Sequence, residues 1–164
     1  MRSIVLIAHN LRSCHNVGSL LRTAEGLGVE RVFLSGYTPY PHREGDVRLP
    51  HEARKVHAKI SKTALGAEDT VAWSHEPDVF EVLTNLRHEG YQIYALEQSA
   101  NATPLPSFTP SEKCVIVVGR EVEGLETEVI QDCYGVVEIP MFGQKESFNV
   151  VQAAAMALYH CTFS

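Results

Sequence analysis

Short apolar runs alternating with helical patterns predict an α/β protein, with a mainly parallel sheet covered by helices on both faces. Three observations carry that expectation. Six bounded runs rich in β-branched residues read as strands: Ile4–Ala8, Arg31–Ser35, Val71–Ser74, Ile93–Leu96, Val115–Val118 and Val136–Ile139. Residues at helical spacing fall between them. The most unusual loops, Glu97–Ala102, Gly119–Gly124 and Pro140–Asn149, follow strand ends, where open α/β sheets bind their ligands.

Taken in order, Ile4–Ala8 is a buried first strand. Val17, Leu20, Leu21, Ala24 and Leu27 then form one helical seam that Gly28 ends. Gly36 closes the second strand, and the polar segment Tyr37–Leu49, with Pro39, Pro41 and Gly45, reads as a loop. Val79–Arg87, Leu125–Gln131 and Phe148–His160 supply further helices. The last is apolar almost all round, so it must be buried on more than one side, and its alanines permit a dimer interface.

The 164 residues fit a single domain, 1–164, and 45% hydrophobic with 21% charged residues excludes intrinsic disorder. No apolar run nears the roughly 20 residues of a membrane helix, and the apolar start is too short for a signal peptide. A cytoplasmic protein with no membrane contact is expected. The four cysteines are widely spread and the eight histidines lack metal spacing, so no metal and free thiols are expected. Residues 1–66 hold ten Lys/Arg against five acids, net +5, while the remainder holds four against fifteen, net −11. A basic half of this kind suits a polyanion, although uneven surface charge alone gives the same figures.

Three segments carry chemistry. In Asn16-Val17-Gly18-Ser19-Leu20-Leu21-Arg22-Thr23-Ala24, Arg22 projects opposite the apolar seam, and Asn16 or Ser13 can cap a helix whose amino end suits an anion. Gly18 early in the helix points to close backbone approach. A capped surface helix with a solvated arginine explains the same residues. In Gly119-Arg120-Glu121-Val122-Glu123-Gly124, two glycines bracket acids after a buried strand. The acids can accept hydrogen bonds from ribose hydroxyls or an amine, yet they repel phosphate, and no Gly-x-Gly-x-x-Gly is present. A plain strand-to-helix turn is the alternative. In Ile139-Pro140-Met141-Phe142-Gly143-Gln144-Lys145-Glu146-Ser147-Phe148-Asn149, Ser147 is expected to cap the final helix. Polar Ser147 and Asn149 at its mouth are costly unless they bond to something.

In order and spacing, these three segments resemble the motifs of the SpoU/TrmH branch of the SPOUT RNA methyltransferases, and the resemblance spans essentially the whole chain. It implies a C-terminal deep trefoil knot, a rare exception to unknotted folds. It also implies S-adenosyl-L-methionine as cofactor, a homodimer, and transfer of methyl to a ribose 2′-hydroxyl of tRNA or rRNA, with tRNA favoured. The implied catalytic residues are Arg22, Glu121, Ser147 and Asn149, with Asn16 supporting Arg22. The implied cofactor residues are Leu96, Glu97, Gln98, Gly119, Arg120, Glu121, Gly124, Ile139, Pro140, Met141 and Phe148. Guanidinium effectively never deprotonates, so Arg22 is expected to orient phosphate and stabilise a developing alkoxide. His9 and His15 are the alternative bases. Family members that bind structured RNA often carry extra terminal segments, and this sequence shows none. RNA grip is therefore expected from Arg12, Arg43, Arg48, Arg54, Lys55 and Lys59. A non-catalytic RNA-binding protein and an enzyme acting on a small nucleoside are the competing functions.

Overall fold

The computed structural model describes residues 1–164. Seven strands, all parallel, form one sheet: β1 Ser3–His9, β2 Arg31–Ser35, β3 Trp73–Glu76, β4 Gln92–Leu96, β5 Thr103–Pro104, β6 Lys113–Val118 and β7 Gly135–Glu138. Their order is β3-β2-β1-β6-β4-β7-β5, so β6 enters between β1 and β4. The helices are α1 Cys14–Gly26, α2 Pro50–Ala64, α3 Ala67–Thr70, α4 Val79–His88, α5 Thr127–Gln131 and α6 Val150–Phe163.

β1 and β6 are sheathed on both sides, which is why they read as unbroken apolar runs. Ile4, Leu6, Cys114 and Ile116 face a core shared with α1, α2 and α6. Val5, Ile7, Val115 and Val117 face a second core under α4 and α5. Each is the alternate face of one pleated strand. The thiols of Cys114 and Cys161 meet at 4.0 Å in the first core, and all four cysteines are free.

Several expectations shift. The third strand begins at Trp73, because Val71 instead ends α3, with its N–H bonded to the Ala67 carbonyl. The fifth helix starts at Thr127, because the backbone at Glu126 just before it is extended, with φ −64° and ψ 146°. Ser147 does not cap α6: Asn149 does, accepting from the Val151 N–H at 2.9 Å, and the helix runs to Phe163. Nor is α6 buried all round. Ala154, Ala157, Leu158 and Cys161 are buried, while Met156, Tyr159 and Phe163 remain exposed.

Helix α2 is absent from the sequence expectations, although Pro50 at its start, Glu52 in its first turn and Lys62 in its last are proper end signals. It packs on α1 at Gly18, where a Cβ would lie 2.9 Å from the Ala64 nitrogen and closer still to the Ile60 carbonyl. The close approach expected at Gly18 is therefore helix on helix. No helix is long and apolar enough to cross a membrane.

Candidate functional site

The ends of β4, β6 and β7 open into a cleft of about 250 Å³, just below the usual size of small-molecule sites. Three chain segments meet there: Leu96–Gln98, Val118–Gly124, and Ile139 with Glu146–Phe148, while Val150 and Ala153 of α6 form a wall. These are the three loops that the sequence places after strand ends. Leu96, Glu97, Gln98, Gly119, Arg120, Glu121, Gly124, Ile139 and Phe148 line the cleft as expected, and Ser147 joins them. Pro140 and Met141 do not. Pro140 instead lines an apolar surface groove with Met156, Tyr159 and Phe163. Glu146, Val150 and Ala153 are lining residues that the sequence reading missed; a wall residue on α6 is invisible until the helix is docked.

Both glycines of the middle loop are steric requirements. A Cβ on Gly119 would sit 2.8 Å from Leu125, and one on Gly124 would press on the Glu97 carboxylate. Gly124 also holds φ at +71°, a conformation that side chains disfavour. Glu97 fastens the loop by accepting from the Leu125 N–H at 2.6 Å, and Arg120 Nε closes it by donating to the Gly124 carbonyl at 2.9 Å. Burial pushes the Glu97 carboxyl above its ordinary value, against the Leu125 N–H and Arg120.

Glu121 turns away from a purely ligand-facing role. Its Oε1 accepts from the backbone N–H groups of Arg12 and Ser13 at 3.2 and 3.3 Å, at the start of α1. The anion expected at that helix end is thus a carboxylate of the cleft itself, well placed against the helix dipole. Ser13, not Asn16, caps α1, accepting from the Asn16 N–H. Next to it, Glu126 draws together Asn10 (Nδ2 to Oε1, 2.9 Å) and His9 (Nε2 to Oε2, 3.3 Å). His9 is buried, bonded to Ser35 Oγ through Nδ1, and burial lowers its pKa despite Glu126. Neither His9 nor the exposed His15 lines the cleft.

Arg22 is exposed on α1, opposite buried Val17, Leu20, Leu21 and Ala24. It lines no part of the cleft, and neither do Asn16 or Asn149. No hydrogen bond joins Asn16 to Arg22; six residues apart on a helix, they sit about 9 Å along the axis on different faces.

Of the expected RNA-contacting residues, Arg12, Arg54, Lys55 and Lys59 are exposed, whereas Arg43 is half-buried with its guanidinium 5.0 Å above the Tyr40 ring. Arg48 is a correction. Its guanidinium pairs at 2.7 Å with the shielded carboxylate of half-buried Asp46, donates to the Tyr40 and Pro41 carbonyls, and lies 3.6 Å over the Tyr40 ring. His75 stacks on that ring at 4.0 Å. Arg48 is a structural pin for the 37–49 loop, with four side-chain hydrogen bonds inside it.

What can the cleft hold? Glu97, Glu121, Glu123 and Glu146 face a single cation, Arg120, among apolar Leu96, Val118, Ile139, Phe148 and Val150. That donor set rejects a phosphate-rich ligand and accepts a cationic one with hydroxyls and an apolar body. The sulfonium and amine of S-adenosylmethionine fit those terms.

An all-parallel α/β protein with a ligand cleft built from glycine- and acid-bearing loops at the carboxyl edge of its sheet is the class so defined. The chain belongs to the SpoU rRNA methylase family, whose model matches residues 3–159. It is 30% identical over 158 residues to a 23S rRNA (guanosine-2′-O-)-methyltransferase of Xanthomonas axonopodis pv. citri, covering 96% of this chain and 57% of that one. The chain thus spans little more than half the length of that curated relative. Among solved structures, the SpoU methyltransferase AviRb of Streptomyces viridochromogenes, in complex with AdoMet, superposes with a TM-score of 0.80. Identity there is 21%, over 98% of this chain and 59% of that one. A structure described as giving insights into 2-OH methylation of C/U34 on tRNA superposes with a TM-score of 0.76 at 22% identity. It is matched over 98% of this chain and 94% of its own.

Proposed function

We propose that this chain is an S-adenosylmethionine-dependent RNA methyltransferase that modifies a ribose 2′-hydroxyl, with tRNA as substrate. The observation that carries the reading is the cleft: four carboxylates and one cation in an apolar, two-glycine cradle at the sheet edge. Family membership names the chemistry. The tRNA choice draws support from the C/U34 structure, which this chain matches over nearly its full length.

When bound, S-adenosylmethionine supplies an electrophilic methyl group on a sulfonium. Leu96, Val118, Ile139, Phe148 and Val150 exclude water from the apolar end, and desolvating a cation that loses its charge in transfer favours that transfer. Glu97 and the 119–124 loop fix the ligand's position, and alignment of the attacking oxygen supplies most of the rate. Arg22 orients the neighbouring phosphate and stabilises the negative charge that develops on that oxygen as the hydroxyl proton passes to solvent. Ser147, at the cleft mouth, and Asn149 hold the ribose.

Arg22 stands outside its own chain's cleft, so a homodimer supplies the missing alignment. The exposed Met156, Tyr159 and Phe163 of α6 give it an apolar interface. The insertion of β6 between β1 and β4, with β7 beyond β4, supports a trefoil knot at the C-terminal end. The chain acts as one domain in the cytoplasm.

The test is incubation with methyl-labelled S-adenosylmethionine and unmodified total tRNA, followed by alkaline hydrolysis. Label in alkali-resistant dinucleotides is expected. Label on bases, or none on RNA, overturns the reading.

A further inference from the structure

The basic half of the sequence is concentrated by the fold on one helix face. On α2, Arg54, Lys55, Lys59 and Lys62 are all exposed: Lys55, Lys59 and Lys62 follow one another along a single stripe, and Arg54 flanks it, about 100° around the helix from Lys55. Arg54 to Lys62 covers about 12 Å of helix axis. None of the four makes an ion pair or side-chain hydrogen bond. The helix carries one acid, Glu52 in its first turn. Its other face, with Ala53, Ile60 and Ala64, is buried. Four unpaired cations so close together repel one another, a cost that a polyanion removes.

The stripe is held rigidly to the cleft. Gly18 lets α1 and α2 touch at their backbones, and Thr63 Oγ1 donates to the His15 carbonyl at 2.7 Å. The N–H groups of Arg12 and Ser13, which lead into α1, rest on Glu121 of the cleft lining. From stripe to cleft the connection is one helix thick.

The surface chemistry selects the partner. A membrane surface needs an exposed apolar face to insert, and the apolar face of α2 is already buried. Protein interfaces are poor in lysine and rich in aromatic residues, and the stripe has three lysines and no aromatic. We propose that the solvent face of α2 is a docking track for the phosphate backbone of RNA, grasping it by charge and without reading its sequence. The identity of the polyanion rests on the methyltransferase reading; the track itself rests on the geometry.

The experiment compares the wild-type chain with a variant carrying Arg54→Ala, Lys55→Ala, Lys59→Ala and Lys62→Ala. Binding to an unmodified tRNA transcript is followed by fluorescence anisotropy from low to moderate salt. Neutralising four phosphate contacts is expected to reduce the slope of log affinity against log salt by about 3 and to weaken binding roughly tenfold or more. The loss should be equal for tRNAs of different sequence. A second variant, Lys55→Arg, Lys59→Arg and Lys62→Arg, keeps the charge and is expected to keep the slope, which separates electrostatics from folding. An unchanged slope in the alanine variant, or an equal loss in the arginine variant, overturns the track. Strong salt-sensitive binding by a chain that transfers no methyl would sink the function reading and leave the track standing. Ribose methylation with an unaltered slope would do the reverse.

Discussion

The two sides of this molecule handle charge in opposite ways. Around the cleft, carboxylates are half-buried and put to use: Glu97 latches a loop, Glu121 sits on the start of α1, and Glu126 gathers Asn10 and His9. On α1 and α2 the cations are exposed and unpaired. One side fixes its charges in hydrogen bonds, and the other leaves them exposed to solvent. Arg22 belongs by position to the second side and by proposed role to the first.

That contrast is broken most severely at Arg22. Arg22→Ala is expected to lower methyl transfer by about 10²–10³-fold, the range for losing one charge-stabilising donor. Its affinity for S-adenosylmethionine should stay within twofold, as read by single-turnover transfer beside calorimetry. Equal damage to both would place Arg22 in cofactor binding. Next in size is Gly124→Val, which forces a side chain against Glu97 in a left-handed backbone position. Cofactor affinity should fall at least tenfold on steric grounds, while the salt slope of tRNA binding is retained.

Arg48→Ala and Lys59→Ala sharpen the basic side. Removing Arg48 strands the shielded Asp46 carboxylate, which the Arg48 hydrogen bonds hold well below the usual carboxylate range. A loss of about 1–3 kcal/mol in thermal or urea unfolding is expected, with the RNA salt slope unchanged. The Asp46 contribution is present above the ordinary aspartate pKa and fades as pH falls toward its depressed value, so the two proteins converge in acid. Lys59→Ala should do the opposite, reducing the slope by about 1 with little effect on stability. The smallest effect is pH dependence of cofactor binding. Because burial raises the Glu97 pKa, the cleft loses that charge at a higher pH than an ordinary glutamate would. Affinity should therefore decline on acidification before the usual glutamate range, and Glu97→Gln should flatten the curve.

The sequence disclosed what depends on local pattern. Buried central strands appear as apolar runs, and the two-glycine loop announces a tight approach wherever it lands. Helix α2 escaped because only Ala53, Ile60 and Ala64 are buried, so charge swamped its apolar period. β5 escaped because two residues, one of them proline, carry no alternation. Arg48 was misread for a different reason. Nothing in a run of bases says which will pair with an aspartate two residues away. The cap of α6 was settled by which side chain reached the Val151 N–H, and Asn149 stood nearer than Ser147.

On the proposed function, the acidic, glycine-built cleft holds S-adenosylmethionine independently of the basic surface. Calorimetric titration of the whole chain with S-adenosylmethionine, without RNA and with ATP in a parallel run, decides this. Saturable binding at one site per chain, with no binding of the phosphate-bearing nucleotide, is the predicted result. No heat with S-adenosylmethionine, or preferential binding of ATP, would contradict it.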